Sequence, residues 1–175
     1  MAQNGVKSSL LPEQDLAGNV AIVTGCSRGI GRAIAYHLAC RGCSLLGTCS
    51  GPASLSKLDN LAETISARYK GSQHTAPKFV GIAADIYSKT APAEIADCVQ
   101  AKFNGKINIF VNNAAKMELR KPGSLSEDFV SEFLRGNIQF PINVVEEFVK
   151  RKLFLKESRI ICISSERARK VSHFA

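Results

Sequence analysis

The sequence predicts an α/β protein with a doubly wound parallel sheet, and three observations carry that prediction. Short apolar, β-branched runs alternate with stretches of helical periodicity from residue 19 onward, the pattern of βαβ units with parallel strands. The first run breaks directly into a glycine-rich turn, Thr24-Gly25-Cys26-Ser27-Arg28-Gly29-Ile30-Gly31, which opens a helical pattern. At 175 residues, 45% hydrophobic and 22% charged, the chain suits one domain with a sizeable core.

Val20-Ala21-Ile22-Val23 is too short for a helix and apolar throughout, so it reads as a strand buried on both faces. Ile30, Ala33, Ile34, His37 and Leu38 then recur at helical spacing up to Arg41, and Gly42 supplies the stop. His37 reads as a helix-face residue rather than a ligand. Cys43 to Cys49 is a second strand, ended by Ser50-Gly51-Pro52. Leu55, Leu58, Leu61, Ile65 and Tyr69 mark an amphipathic helix, closed by the turn from Gly71 to Pro77. Lys78 to Ala84 is a third strand that ends at Asp85. Thr90-Ala91-Pro92 starts the next helix, and Gly105 stops it. Ile107 to Val111 is a fourth strand, running into Asn112-Asn113-Ala114-Ala115. From Ser126 to Arg151 the apolar spacing predicts one long helix, with Pro141 as a kink just after Asn137. Arg159 to Ile163 is the fifth strand, with Ser164 and Ser165 at its carboxyl end.

The first 18 residues, Met1 to Gly18, are polar and read as a flexible arm, leaving residues 19–175 as the domain. They fit neither a secretory nor a mitochondrial presequence. No apolar run reaches the roughly 18 residues needed to span a bilayer, so the expectation is a soluble, cytoplasmic protein without a membrane partner. The six cysteines lack the framework of a small secreted domain and read as reduced thiols. Cys40-Arg41-Gly42-Cys43 has redox or metal spacing, but no second pair or histidine cluster completes it, and no metal site is expected. Of the net charge of +8, six units fall between Lys150 and Ala175. No aromatic residues interleave with those cations in a nucleic-acid-binding pattern, so a solvated basic surface is the reading, with an anionic cofactor or an acidic carrier as its functional version.

The glycine-rich turn hands a strand to a helix whose first N–H groups are free, which makes a phosphate cradle. Gly25 allows the tight turn, Gly29 lets backbone approach a pyrophosphate, and Gly31 lets the helix pack closely. In an NAD-binding unit of this Rossmann-like kind an acidic residue ends the second strand and bonds the adenosine ribose. Here Thr48-Cys49-Ser50 holds that place with no carboxylate. A 2′-phosphate meets no repulsion there, and Arg28 can reach it with a charge-assisted bond, which favours NADP(H) over NAD(H). Arg28 alone also reads as a solvated loop cation. Asp85 is placed either to accept from the adenine amino group or to cap its own turn.

These residues closely resemble the short-chain dehydrogenase/reductase family. Thr24 to Gly31 matches its T-G-x-x-x-G-x-G motif, Asp85 its acidic residue after the third strand, and Asn112-Asn113-Ala114-Ala115 its N-N-A-G motif, with Ala115 in place of the glycine. The likeness runs from Leu16 to Ser165 and is nearest to reductases of the β-ketoacyl-carrier-protein type. The resemblance implies that Gly25, Ser27, Arg28, Gly29, Ile30, Gly31, Ser50, Asp85 and Asn113 hold NADP(H). It also implies that Ser165 polarises a substrate carbonyl, with Ser164 as the fallback, and that Asn137 is the structural and proton-relay asparagine.

In that family a Tyr-x-x-x-Lys pair about a dozen residues past the serine moves the proton. Four residues after Tyr36, Tyr69 and Tyr87 stand Cys40, Gln73 and Ala91, so none of the three tyrosines forms the pair. Counting from Ser165, the tyrosine falls just past Ala175. The expected fold is therefore incomplete, with about five strands and without the family's last ones, which leaves the fifth strand as an uncovered apolar edge. Two functional classes follow. One is an NADP(H)-dependent oxidoreductase that reduces a ketone or oxidises a secondary alcohol, free or carrier-bound, with this chain as the cofactor half. The other is a non-catalytic NADP-binding or regulatory remnant of a truncated gene or splice form. The family's habit of pairing subunits through long helices admits a homo-oligomer.

Overall fold

A computed structural model describes residues 11–121 and 123–165. Five strands, β1 (Val20–Val23), β2 (Ser44–Cys49), β3 (Phe79–Ala83), β4 (Ile107–Asn112) and β5 (Phe154–Cys162), form one sheet in the order β3-β2-β1-β4-β5. Every pairing is parallel, with Val23 lying between Gly47 and Val111. The chain winds outward from β1 through β2 to β3, then returns to the other side of β1 for β4. The two halves therefore diverge at the carboxyl ends of β1 and β4, where a crevice opens.

The alternation of side chains along β1 explains why both faces need helices. Ala21 and Val23 join a core with Leu45, Ile109 and Val111 under α1 (Gly29–Cys40) and α2 (Leu55–Tyr69). Ile22 joins Leu46, Ile107 and Phe110 under α3 (Ala91–Phe103) and the long helical segment, where Phe110 meets Phe148 edge to face at 5.5 Å. That segment begins at Ser126, whose hydroxyl accepts from the Phe129 N–H. It runs as α4 (Glu127–Leu134), a π turn (Arg135–Gln139) and α5 (Phe140–Lys150).

Three sequence expectations are corrected in detail. The long helix is interrupted not at Pro141 but in the π turn before it, with Asn137 at the centre. Proline lacks the N–H that an α-helix would donate four residues back, and the widened turn, closed by Phe140 N–H on Arg135 O, absorbs the defect. β5 starts five residues earlier than its apolar run suggested. Its first half carries Lys156 and Glu157, and the register slips between Ile107 and Ile109, where the Ser158 hydroxyl donates to Ile107 O at 2.6 Å. Residues 11–18 are not a loose arm. Leu16 N–H donates to Arg41 O, the Gln14 amide donates to Cys40 O at 2.8 Å and accepts from the Tyr69 hydroxyl, and Asp15 pairs with Arg41. Residues 1–10, and the last basic residues from Glu166 onward, lie outside the described residues.

β5 ends the sheet with no further strand beside it among the described residues, and Leu155, Ile160, Ile161 and Ile163 are exposed. Among the described residues no helix is long and apolar enough to cross a membrane. All six cysteines are free thiols. Burial pushes Cys43 up to about 12, so Cys43 is a neutral thiol rather than a nucleophile at neutral pH.

Candidate functional site: a cleft at the carboxyl ends of the strands

A cleft of about 700 Å³ lies over the carboxyl ends of β1 to β4, and all nine residues expected to hold a cofactor line it. Gly25 and Gly29 have φ of +68° and +59°, the left-handed region that favours glycine. Gly29 lines the cleft and a Cβ there would meet nothing within 4 Å, so no neighbouring atom covers this stretch of backbone. Gly31 acts differently from the expected packing of helix on strand. A Cβ there would collide with the Asn113 amide nitrogen and with Gly25 O, so the close approach is between α1 and the turn's own brace.

Two threonines that the sequence reading left outside the site set the shape of the turn. The Thr24 hydroxyl accepts from the N–H groups of Asn113 and Ala114, each at 3.0 Å, and donates to Val111 O. The Thr48 hydroxyl accepts from Gly25 N–H at 3.2 Å, while Cys26 N–H donates to Thr48 O at 2.8 Å. Asn113 donates from its side-chain amide to Thr24 O at 2.9 Å and Gly25 O at 3.1 Å. The turn is thus fastened to β2 on one side and to the end of β4 on the other. Ala115 keeps a negative φ, which is why an alanine serves where the resembling motif has glycine.

Beneath the turn, the Cys26 thiol packs over Gly47. Burial, with Cys49 nearby, pushes it up to about 12 and keeps it neutral. α1 starts at Gly29 with Arg28 extended before it, no side-chain cap and no acidic residue in its first turn, so its first N–H groups face the cleft unclaimed. Arg28 and Ser50 are exposed at one end of the cleft, and no carboxylate stands on Thr48, Cys49 or Ser50. One Asp85 carboxylate oxygen accepts from Tyr87 N–H at 3.0 Å, so Asp85 caps its turn while also facing the cleft.

The opposite end is walled by Lys116. Asn137, in the π turn, accepts from Lys116 N–H at 2.7 Å and donates to Lys116 O at 2.9 Å, a two-bond clamp that fixes the loop after β4. The ammonium lies 3.2 Å from Glu132, which raises its pKa, and over the rings of Tyr87 and Phe129. Lys116 gave no signal in the sequence, because its role depends on α4 folding back over the loop. Ser165 sits three residues beyond β5, exposed, and neither it nor Asn137 lines the cleft. The arrangement suits an extended ligand with two separate anionic groups: glycine backbone and helix N–H groups for a pyrophosphate, and a cation without a competing carboxylate at one end.

Residues 19–174 match the family model described as short chain dehydrogenase. The chain is 36% identical over 105 residues to an NADPH-dependent aldehyde reductase 2, chloroplastic, of Arabidopsis thaliana, covering 59% of this chain and 39% of the relative. It is 28% identical over 148 residues to the 3-oxoacyl-[acyl-carrier-protein] reductase FabG of Escherichia coli strain K12, covering 85% of this chain and 55% of that one. A crystal structure of a short chain dehydrogenase from Burkholderia cenocepacia in complex with NADP superposes with a TM-score of 0.74 at 26% identity, over 90% of this chain and 59% of the other. The chain thus spans about half the length of the proteins it matches.

Proposed function

This chain belongs to the short-chain dehydrogenase family, and we propose that it is the NADP(H)-binding half of an oxidoreductase that reduces a ketone or oxidises a secondary alcohol. The observation that carries the reading is the cleft's polarity: Arg28 is exposed at its rim, and the end of β2, where a ribose-binding acid would stand, has none. Cofactor names among the relatives and the Burkholderia complex support the same choice.

Bound NADPH supplies a hydride to a carbonyl carbon, and NADP⁺ accepts one from an alcohol. The chain's own residues bind and orient. The backbone around Ser27, Gly29 and Ile30 and the first turn of α1 hold the pyrophosphate, and Arg28 with Ser50 takes the 2′-phosphate. The second Asp85 oxygen, not used by Tyr87 N–H, accepts from the adenine amino group. Gly25, Gly31 and Asn113 act by holding the turn open. Asn137 is a positioning residue through Lys116, and Ser165 is the carbonyl-polarising hydroxyl. The substrate is a small carbonyl compound or alcohol, free or carrier-bound. The exposed Leu134, Ile138 and Ile142 on the long helix support a homo-oligomer paired along it.

Because none of the three tyrosines has a lysine four residues on, binding rather than turnover tests this chain. Fluorescence titration should show NADPH bound more tightly than NADH, with Arg28→Ala abolishing the difference. Equal affinities in the parent chain overturn the reading.

A further inference from the structure

A second cavity, of about 210 Å³, opens between the loop after β3 and the π turn, sharing only Ile86 and Tyr87 with the cofactor cleft. Two cations line it, Lys89 from the loop and Arg135 at the start of the π turn, together with the amides of Gln139 and Asn143 and the hydroxyl of Ser88. No carboxylate lines it. Neither cation has an ion pair or a side-chain hydrogen bond with any described residue, whereas Arg41, Lys116, Arg120 and Arg151 all pair with acids.

The helix geometry explains the convergence. Arg135, Gln139 and Asn143 are four residues apart, and two such steps on a regular α-helix drift about 80° round the axis. The wider π turn between Arg135 and Gln139 takes up part of that drift, so the three side chains stay on the face turned to the loop. Pro92, in the first turn of α3, completes the lining. The cavity is too small for a dinucleotide and fits a tetrahedral oxyanion with a short substituent.

We propose that this cavity is an anion-binding site distinct from the cofactor cleft, which takes a phosphate group bridged between Lys89 and Arg135. The Arg135 guanidinium supplies a fork to two of the oxygens, Lys89 a point charge to a third, and the Gln139 and Asn143 amides with the Ser88 hydroxyl donate to the remainder. The group comes either as free inorganic phosphate or as the end of a small phosphomonoester.

Calorimetric titration of the full chain tests this with inorganic phosphate and with β-glycerophosphate, on the parent, on Arg28→Ala, and on the double variant Lys89→Gln/Arg135→Gln. The Arg28 variant matters because the cofactor cradle itself attracts phosphate. The site predicts a bound phosphate whose affinity is kept within about twofold by Arg28→Ala and weakened at least about tenfold by the double variant, as expected for removing charge-assisted bonds. Tighter binding of β-glycerophosphate assigns the ligand to phosphomonoesters, and weaker binding assigns it to the free ion. Should the double variant not fold, Lys89→Gln alone, on an exposed loop, must weaken binding at least about threefold. No binding to the parent, or binding lost with Arg28 and kept in the Lys89 and Arg135 variants, overturns the proposal.

Discussion

Gly29 and Gly31 are two residues apart in one motif, yet alanine at the two positions should act through different physics. At Gly31 the new methyl would collide with Gly25 O and the Asn113 amide nitrogen. The carbonyl belongs to the turn and cannot swing away, so Asn113 must move and give up its bonds to Thr24 O and Gly25 O. Overpacking of about 1–3 kcal/mol plus two hydrogen bonds at about 0.5–1 kcal/mol each puts the loss near 3 kcal/mol. At Gly29 the methyl meets nothing, and the only cost in the ligand-free protein is the left-handed backbone, about 1 kcal/mol. With a urea slope of about 2 kcal/mol/M, the unfolding midpoint of Gly31→Ala should lie about 1 M below that of Gly29→Ala. NADPH titration should show the converse emphasis: Gly29→Ala, which puts a methyl on backbone that the pyrophosphate must approach closely, should lose at least about tenfold in affinity despite its milder effect on stability. If Gly29→Ala unfolds at the same urea concentration as Gly31→Ala, or at a lower one, the account of the brace is wrong.

Removing the Arg28 guanidinium should weaken NADPH by about tenfold to a hundredfold, the range for a charge-assisted bond, and leave NADH unchanged in the same titration. Asn137→Ala strands both backbone groups of Lys116 and should cost about 1–3 kcal/mol in urea unfolding. Asn137→Asp, which can still accept from the N–H but cannot donate to the carbonyl, should fall in between. The buried thiols set an alkaline limit. Cys26 and Cys43 are raised from an ordinary 9.0 to about 12, so the unfolded chain ionises first. Their contribution is complete below pH 9 and is lost as pH rises from 9 towards 12, by up to about 1.4 kcal/mol per pH unit for each thiol. Cys26→Ala should flatten that alkaline slope in urea midpoints, and an unchanged slope counts against the burial argument.

The existence and order of the strands and helices were legible because most apolar runs have one period and one punctuation mark, although α1 buries Gly31, Ala35, Ala39 and Cys40 and leaves Ile30 and His37 of its expected face exposed. Val20 to Val23 could only be a doubly buried strand, and Gly42 and Gly105 end helices where left-handed backbone is needed. The cleft's floor was equally legible, since the glycine motif is local. What the sequence hid is non-local. The bulge in β5 depends on pairing with Ile107, and the anchoring of residues 11–18 depends on Arg41 and Tyr69. Thr48 looks like an ordinary strand end, and Thr24 only like the lead-in to the glycine motif, until their hydroxyls meet partners beyond their own strands. Lys116 reads as one loop cation among many until Asn137 grips its backbone.

The reversal of strand order at β1 also has a kinetic side. The partners of Thr24 on β4 and just beyond it lie 87 to 90 positions further along the chain. During synthesis the glycine turn and its Thr48 brace on β2 therefore emerge long before the brace from the end of β4, and closing so long a loop is slow. A nucleotide meets the finished cradle only once β4 has docked beside β1 and Asn113 has braced the turn. It should leave the refolding rate untouched and act almost entirely by retarding unfolding, as a lock fitted after the door has closed.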